Sequence, residues 1–134
     1  MCCHVGGGDI DFDADGNLYL STGDDTNPFA SDGFTPIDER PDRNPAFDAR
    51  RSAGNSNDLR GKILRIKVAD DGSYTVPDGN LFAPGGTDRT RPEIYAMGFR
   101  NPFRFSVDKA PASSTWATTG RTPARPTPKR GGPR

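Results

Sequence analysis

Two Asp-Gly pairs, each set between short runs of alternating apolar and polar residues, constrain this chain more than any other feature. Asp9-Ile10-Asp11-Phe12-Asp13 alternates, meets Asp15-Gly16, and is followed by Leu18-Tyr19-Leu20. The run Gly61-Lys62-Ile63-Leu64-Arg65-Ile66-Lys67-Val68 leads into Asp71-Gly72 and then Tyr74-Thr75-Val76. An Asp-Gly pair tolerates the positive φ of a tight hairpin turn, and alternation turns one face of each strand toward a core. A third unit, Glu93-Ile94-Tyr95-Ala96-Met97, turns at Gly98 and is expected to resume as a strand over Phe103–Asp108. Repeated short hairpins with long connections predict an all-β chain, built as propeller blades or a sandwich.

Its core is thin. Only 31% of the 134 residues are hydrophobic, and Gly and Pro together number 29, which favours turns and short strands over helices. The polar loop from Asp24 to Leu59 has no helical periodicity, and a loop that long within a domain is expected to be functional or disordered. Residues 110–134 differ in kind, with prolines scattered among Ala, Ser, Thr, Gly and Arg. That composition cannot offset its ordering entropy by burial, so the chain divides into a folded part, 1–109, and a tail, 110–134, expected to be disordered.

A formal net charge of zero hides an asymmetry. The tail carries five basic residues and no acidic one, which leaves residues 1–109 with 13 Lys/Arg against 18 Asp/Glu, a net of −5. Phosphate binding needs a basic face, so the acidic body argues against nucleic acid as a partner. No stretch approaches the roughly 18 apolar residues of a membrane span. Met1 runs straight into Cys2-Cys3-His4 without an apolar stretch, so no signal peptide is expected within this chain. A vicinal cysteine pair seldom closes on itself, and the redox compartment stays open.

Three places could carry chemistry. Asp11-x-Asp13-x-Asp15-Gly16 matches the start of a helix–loop–helix calcium site, but Thr22 stands where the bidentate Glu belongs, and a hairpin turn is the better reading. Cys2-Cys3-His4 lacks the second ligand pair of a zinc site, so no metal ligand is expected. His4, the only histidine, precedes Gly6-Gly7-Gly8 and is a structural residue or a general base. Asp24, closing the strand Ser21-Thr22-Gly23, could fix the tautomer of such a histidine or simply cap a turn. Arg100 and Asn101, in Gly98-Phe99-Arg100-Asn101-Pro102, could present a cation and an amide to an anion or carbonyl, or form an ordinary strand-to-strand turn.

Taken in order, His4-x-Gly6-Gly7, Asp15-Gly16-Asn17-Leu18-Tyr19, Gly23-Asp24, Leu59-Arg60-Gly61-Lys62-Ile63-Leu64-Arg65-Ile66 and Ile94-Tyr95-Ala96-Met97-Gly98-Phe99-Arg100-Asn101-Pro102 resemble the glucose/sorbosone dehydrogenase family. The resemblance spans about residues 3–108. It implies a six-bladed β-propeller, of which this chain covers two or three blades, holding pyrroloquinoline quinone (PQQ) with calcium beside it. It implies oxidation of an aldose at its anomeric carbon by hydride transfer to the quinone, in a parent protein that is extracellular or periplasmic. On the same basis His4 is the base, Asp24 the carboxylate that orients it, and Arg100 and Asn101 the cofactor-contacting pair.

The motifs give out near Lys109, and the calcium loop of the family is not in the chain. Ser114–Pro123 can be coded so that a shifted frame spells a strand and a Gly-Pro loop of the kind the family carries next. The tail is therefore expected to be out-of-frame translation, and the chain to be an incomplete and inactive piece of a sugar dehydrogenase. The alternative is a non-catalytic propeller module that binds carbohydrate or a protein partner through the Asp24–Leu59 loop. Composition leaves the sugar and the oligomeric state open.

Overall fold

A computed structural model describes residues 8–26 and 32–109. These residues form an all-β structure of five strands: β1 (Ile10–Phe12), β2 (Leu18–Thr22), β3 (Lys62–Val68), β4 (Tyr74–Thr75) and β5 (Ile94–Met97). The one helical element among them is a 3-10 turn over Pro45–Phe47. No helix among the described residues is long and apolar enough to cross a membrane.

The β1–β2 hairpin forms where the alternation places it. Ile10 pairs with Leu20 and Phe12 with Leu18, and the turn closes through Gly16 N–H donating to Asp13 C=O. Gly16 sits at φ 73°, the left-handed region that glycine enters without a Cβ penalty. Asp13 organises this turn. Its Oδ1 accepts from the Asp15 and Asn17 N–H groups, and its Oδ2 accepts from the Asn17 amide and the Tyr19 hydroxyl. The Asp-rich run is thus a hairpin turn. The second hairpin, β3–β4, closes around Asp71-Gly72 in the same manner, with Gly72 N–H donating to Ala69 C=O.

The hairpins are joined edge to edge. β2 pairs antiparallel with β3 over Leu18↔Ile66 to Thr22↔Lys62, and β5 pairs with the other edge of β3 across a bulge at Ile63/Leu64. Units that look like separate repeats in sequence are therefore neighbours in a single open sheet, ordered β1-β2-β3-β4 with β5 on β3. One face carries Tyr19, Ile63, Phe105 and Val107, with Tyr95, Ala96 and Phe99 packed on them. The Tyr19 and Tyr95 rings meet edge to face at 5.2 Å, and the Arg65 guanidinium lies 5.2 Å from the Tyr95 ring centre. The opposite face carries Ile10, Phe12, Leu18, Leu20 and Ile66. There Ile10 is 57% exposed and Phe12 47%.

Phe103–Asp108 is not a strand, contrary to its alternation. The segment leaves β5 and runs beside β1, where side chains replace the ladder. Val107 N–H donates to Asp11 Oδ2 at 2.9 Å and Phe105 N–H to Asp9 Oδ2 at 3.3 Å. Two carboxylates spaced two apart on an extended chain meet two N–H groups with the same spacing. The alternation still marks the inward residues, since Phe105 and Val107 are both buried.

Residues 38–60, which take in most of the described part of the long loop, carry a repeated fork. Asp38/Arg40, Asp48/Arg50 and Asp58/Arg60 each place the carboxylate on the backbone N–H, Nε and Nη2 of the arginine two residues on. Bidentate pairing of this kind is the strong form of the arginine–carboxylate contact. The partner arginine pulls the carboxyl pKa of each of the three aspartates below the ordinary 3.8. The Val107 N–H, followed by Phe12 N–H and Lys109, does the same for Asp11. A carboxylate depressed by folding stabilises the fold above its unfolded pKa. As pH falls through 3.8 the unfolded chain takes up protons first, so that stability is lost. Amide protection factors in residues 38–60, corrected for the intrinsic pH dependence of exchange, are therefore expected to fall between pH 5 and pH 3, and Asp48→Asn to move the onset to higher pH. Equal protection at both pH values would show that the forks do not hold the loop.

Candidate functional site

The pairing Thr22↔Lys62↔Met97 brings three chain segments to one end of the sheet: the exit of β2, the entry of β3 and the exit of β5. Backbone hydrogen bonds stitch them together. Gly61 N–H donates to Gly23 C=O at 2.9 Å, Phe99 N–H to Gly61 C=O at 3.1 Å, and Gly98 N–H to Ala53 C=O at 3.1 Å. Gly23-Asp24 and Arg100-Asn101, far apart in sequence, are thereby set side by side. Asp24 N–H donates to Arg100 C=O at 2.9 Å.

Asp24 is 3% exposed, and its Oδ1 accepts from Thr26 N–H at 2.9 Å. A carboxylate bound to a backbone N–H two residues on is an Asx turn, so the capping role proposed from sequence is real. Arg100 and Asn101 are exposed. The guanidinium Nη2 of Arg100 reaches Thr26 C=O at 3.4 Å, and Asn101 C=O accepts from Phe103 N–H to close its turn. Asp24 and Arg100 thus share one immediate neighbour, Thr26. At the rim, Arg60 bridges Asp58 at 2.6 Å and Asp25 at 3.6 Å. His4 lies outside the described residues, with Cys2 and Cys3 and the tail 110–134.

Two residues of this region escape a reading of motifs. Lys62 is fully buried inside β3, and its ammonium donates to Ser52 C=O at 2.7 Å, Arg60 C=O at 2.8 Å and Ala53 C=O at 3.1 Å. Burial draws its pKa below the ordinary lysine value, with Asp58 acting in the opposite direction. A lysine beginning an apolar strand was the available signal. Thr26 is the second. It is 1% exposed, and its hydroxyl has no hydrogen-bond partner among the described residues. No sequence signal marks it. No group of three or more His, Cys, Asp or Glu side chains is gathered to hold a metal among the described residues.

An antiparallel sheet whose strand-end loops assemble a buried carboxylate beside an exposed arginine–asparagine turn defines a class of all-β protein with a polar site at the sheet end. The chain belongs to the glucose/sorbosone dehydrogenase family, whose profile matches residues 3–118 and so continues past Lys109, where the motifs give out. It is 34% identical over 114 residues to the HIPL2 protein of Arabidopsis thaliana and 30% identical over 115 residues to the HIPL1 protein of the same plant. Those matches take in 76% and 77% of this chain, which spans 14% of the length of either relative.

Proposed function

We propose that the chain is part of a PQQ-dependent sugar dehydrogenase that oxidises the anomeric carbon of an aldose. The observation that carries this reading is the direct Asp24–Arg100 contact, which unites two motifs of the family that sequence alone leaves apart. In this reading β1-β2-β3-β5 is a blade of a six-bladed propeller in an extracellular or periplasmic protein. Bound PQQ, with calcium beside it, supplies the hydride acceptor. The exposed Arg100 guanidinium and Asn101 amide suit an acidic, carbonyl-bearing ring, and the guanidinium offsets negative charge on a reduced carbonyl.

His4 takes the proton of the anomeric hydroxyl as hydride leaves the adjacent carbon. Asp24, held at Oδ1 by Thr26 N–H, orients the imidazole. The test uses the full-length protein with PQQ, calcium and a reducible dye, assayed with a panel of aldoses. His4→Ala is expected to lower kcat by about a hundredfold or more while quinone binding stays nearly intact. Unchanged turnover in that variant would return His4 to a structural role.

One observation favours a second reading, a non-catalytic module that binds carbohydrate or a protein partner. In the Asp24–Leu59 loop the exposed Phe34 ring carries the Arg40 guanidinium at 4.1 Å, an aromatic and cationic platform at the surface. Sugar binding without dye reduction, abolished by Phe34→Ala, would select it.

A further inference from the structure

A buried hydroxyl without a partner is costly, because burial removes its water and nothing replaces it. Thr26 Oγ1 is in that position among the described residues. Its surroundings are not those of a packing defect. The same residue gives its N–H to the Asp24 carboxylate and its C=O to the Arg100 guanidinium. Its backbone therefore bonds both groups assigned to the site, and its hydroxyl belongs to the residue that joins them. The Asp24 carboxylate and the Arg100 guanidinium each have a bond there, and the buried hydroxyl has none.

We propose that the Thr26 hydroxyl is a ligand-binding group of this site, completing its hydrogen bonding on an oxygen of the bound small molecule. This rests on the reading of the site as one for a quinone and an aldose. The shared chemistry is an oxygen placed between Asp24 and Arg100, a carbonyl or carboxylate in the quinone or a hydroxyl in the sugar. Threonine suits the role because its hydroxyl both donates and accepts.

The test compares Thr26→Val, which replaces the hydroxyl by a methyl of similar size, with Thr26→Ser, which keeps it. Each is made in the full-length protein. Quinone affinity is read by titration of PQQ with calcium present, the aldose step by KM and kcat at saturating quinone, and stability by thermal melting without ligand. Removing an orphan hydroxyl is expected to leave the unliganded melting temperature unchanged or higher. Affinity should meanwhile fall about tenfold, the usual effect of one hydrogen bond to a ligand. A fall confined to PQQ titration assigns the quinone as partner, and a rise in aldose KM alone assigns the sugar. Thr26→Ser is expected to restore most of the affinity. If wild type and Thr26→Val bind quinone and sugar equally well, the proposal is wrong. It is equally wrong if serine fails as badly as valine, since shape rather than the hydroxyl would then be what matters. A wild-type protein that takes up neither quinone nor aldose overturns the proposed function itself, and this inference falls with it.

Discussion

Replacing Lys62 by methionine is expected to destabilise the full-length protein by about 2–4 kcal/mol, although methionine matches the length and apolar stem of lysine. The loss comes from what the ammonium holds. Three backbone carbonyls, of Ser52, Ala53 and Arg60, converge on a nitrogen shielded from water. Methionine leaves all three without that donor, and a buried acceptor stripped of its partner costs about 1–3 kcal/mol. The sum falls short of three such penalties because Ala53 C=O keeps its bond from Gly98 N–H and Ser52 C=O keeps its bond from Asn55 N–H. Lys62→Ala adds a cavity and is expected to cost about 2 kcal/mol more. The measurement is the urea midpoint, read at unchanged slope so that the shift reports stability. The effect should reach the site, since the Ala53 carbonyl also anchors the turn that leads to Arg100. A methionine variant as stable as wild type would mean that the carbonyls find water and that Lys62 is an incidental passenger.

Much of this architecture is legible in the chain because strand alternation and Asp-Gly turns are local signals. Ile10–Phe12 and Leu18–Leu20 pair across their turn as the pattern requires, and Phe105 and Val107 point inward even where the strand fails to form. What the pattern lacks is the partner of each edge. Nothing in Phe103–Asp108 announces that its N–H groups go to the carboxylates of Asp9 and Asp11, because a side chain can replace a ladder without altering the alternation. The Asp-x-Arg fork, by contrast, recurs every ten residues at 38, 48 and 58 and was open to view. It passes for a run of solvated charge until the identical geometry of the three copies is seen. In the site, Asp24 and Arg100 are legible as motif residues, and their contact is a consequence of β2 and β5 flanking β3. Thr26 and Lys62 act through burial, which has no signature in a single sequence.

Gly61→Ala is expected to be the most damaging small substitution at the sheet end, costing about 3–5 kcal/mol and the ligand site with it. Two penalties add. Gly61 has φ 65°, where an L-residue with a side chain is disfavoured by about 1–2 kcal/mol. The space is closed as well. A Cβ there would stand 2.5 Å from the Ala53 Cβ, 2.5 Å from the Phe99 carbonyl oxygen and 2.8 Å from the Ala53 Cα. Two of those three atoms are backbone, so rotation of a side chain cannot relieve the clash. The chain must instead separate where Gly61 N–H binds Gly23 C=O and Phe99 N–H binds Gly61 C=O. Those two bonds hold the Asp24 and Arg100 segments to β3 from opposite sides. Under the proposed function, quinone affinity should therefore fall even at temperatures where the variant remains folded, a split that simple destabilisation does not produce. Adding Ala53→Gly removes one of the three contacts and leaves the Phe99 oxygen and the Ala53 Cα in place. The double variant should recover part of the stability, with a coupling energy of about 0.5–3 kcal/mol between the two positions. Strict additivity, or a Gly61→Ala protein that melts with wild type, would show that this corner of the sheet can open without cost and that the site does not depend on it.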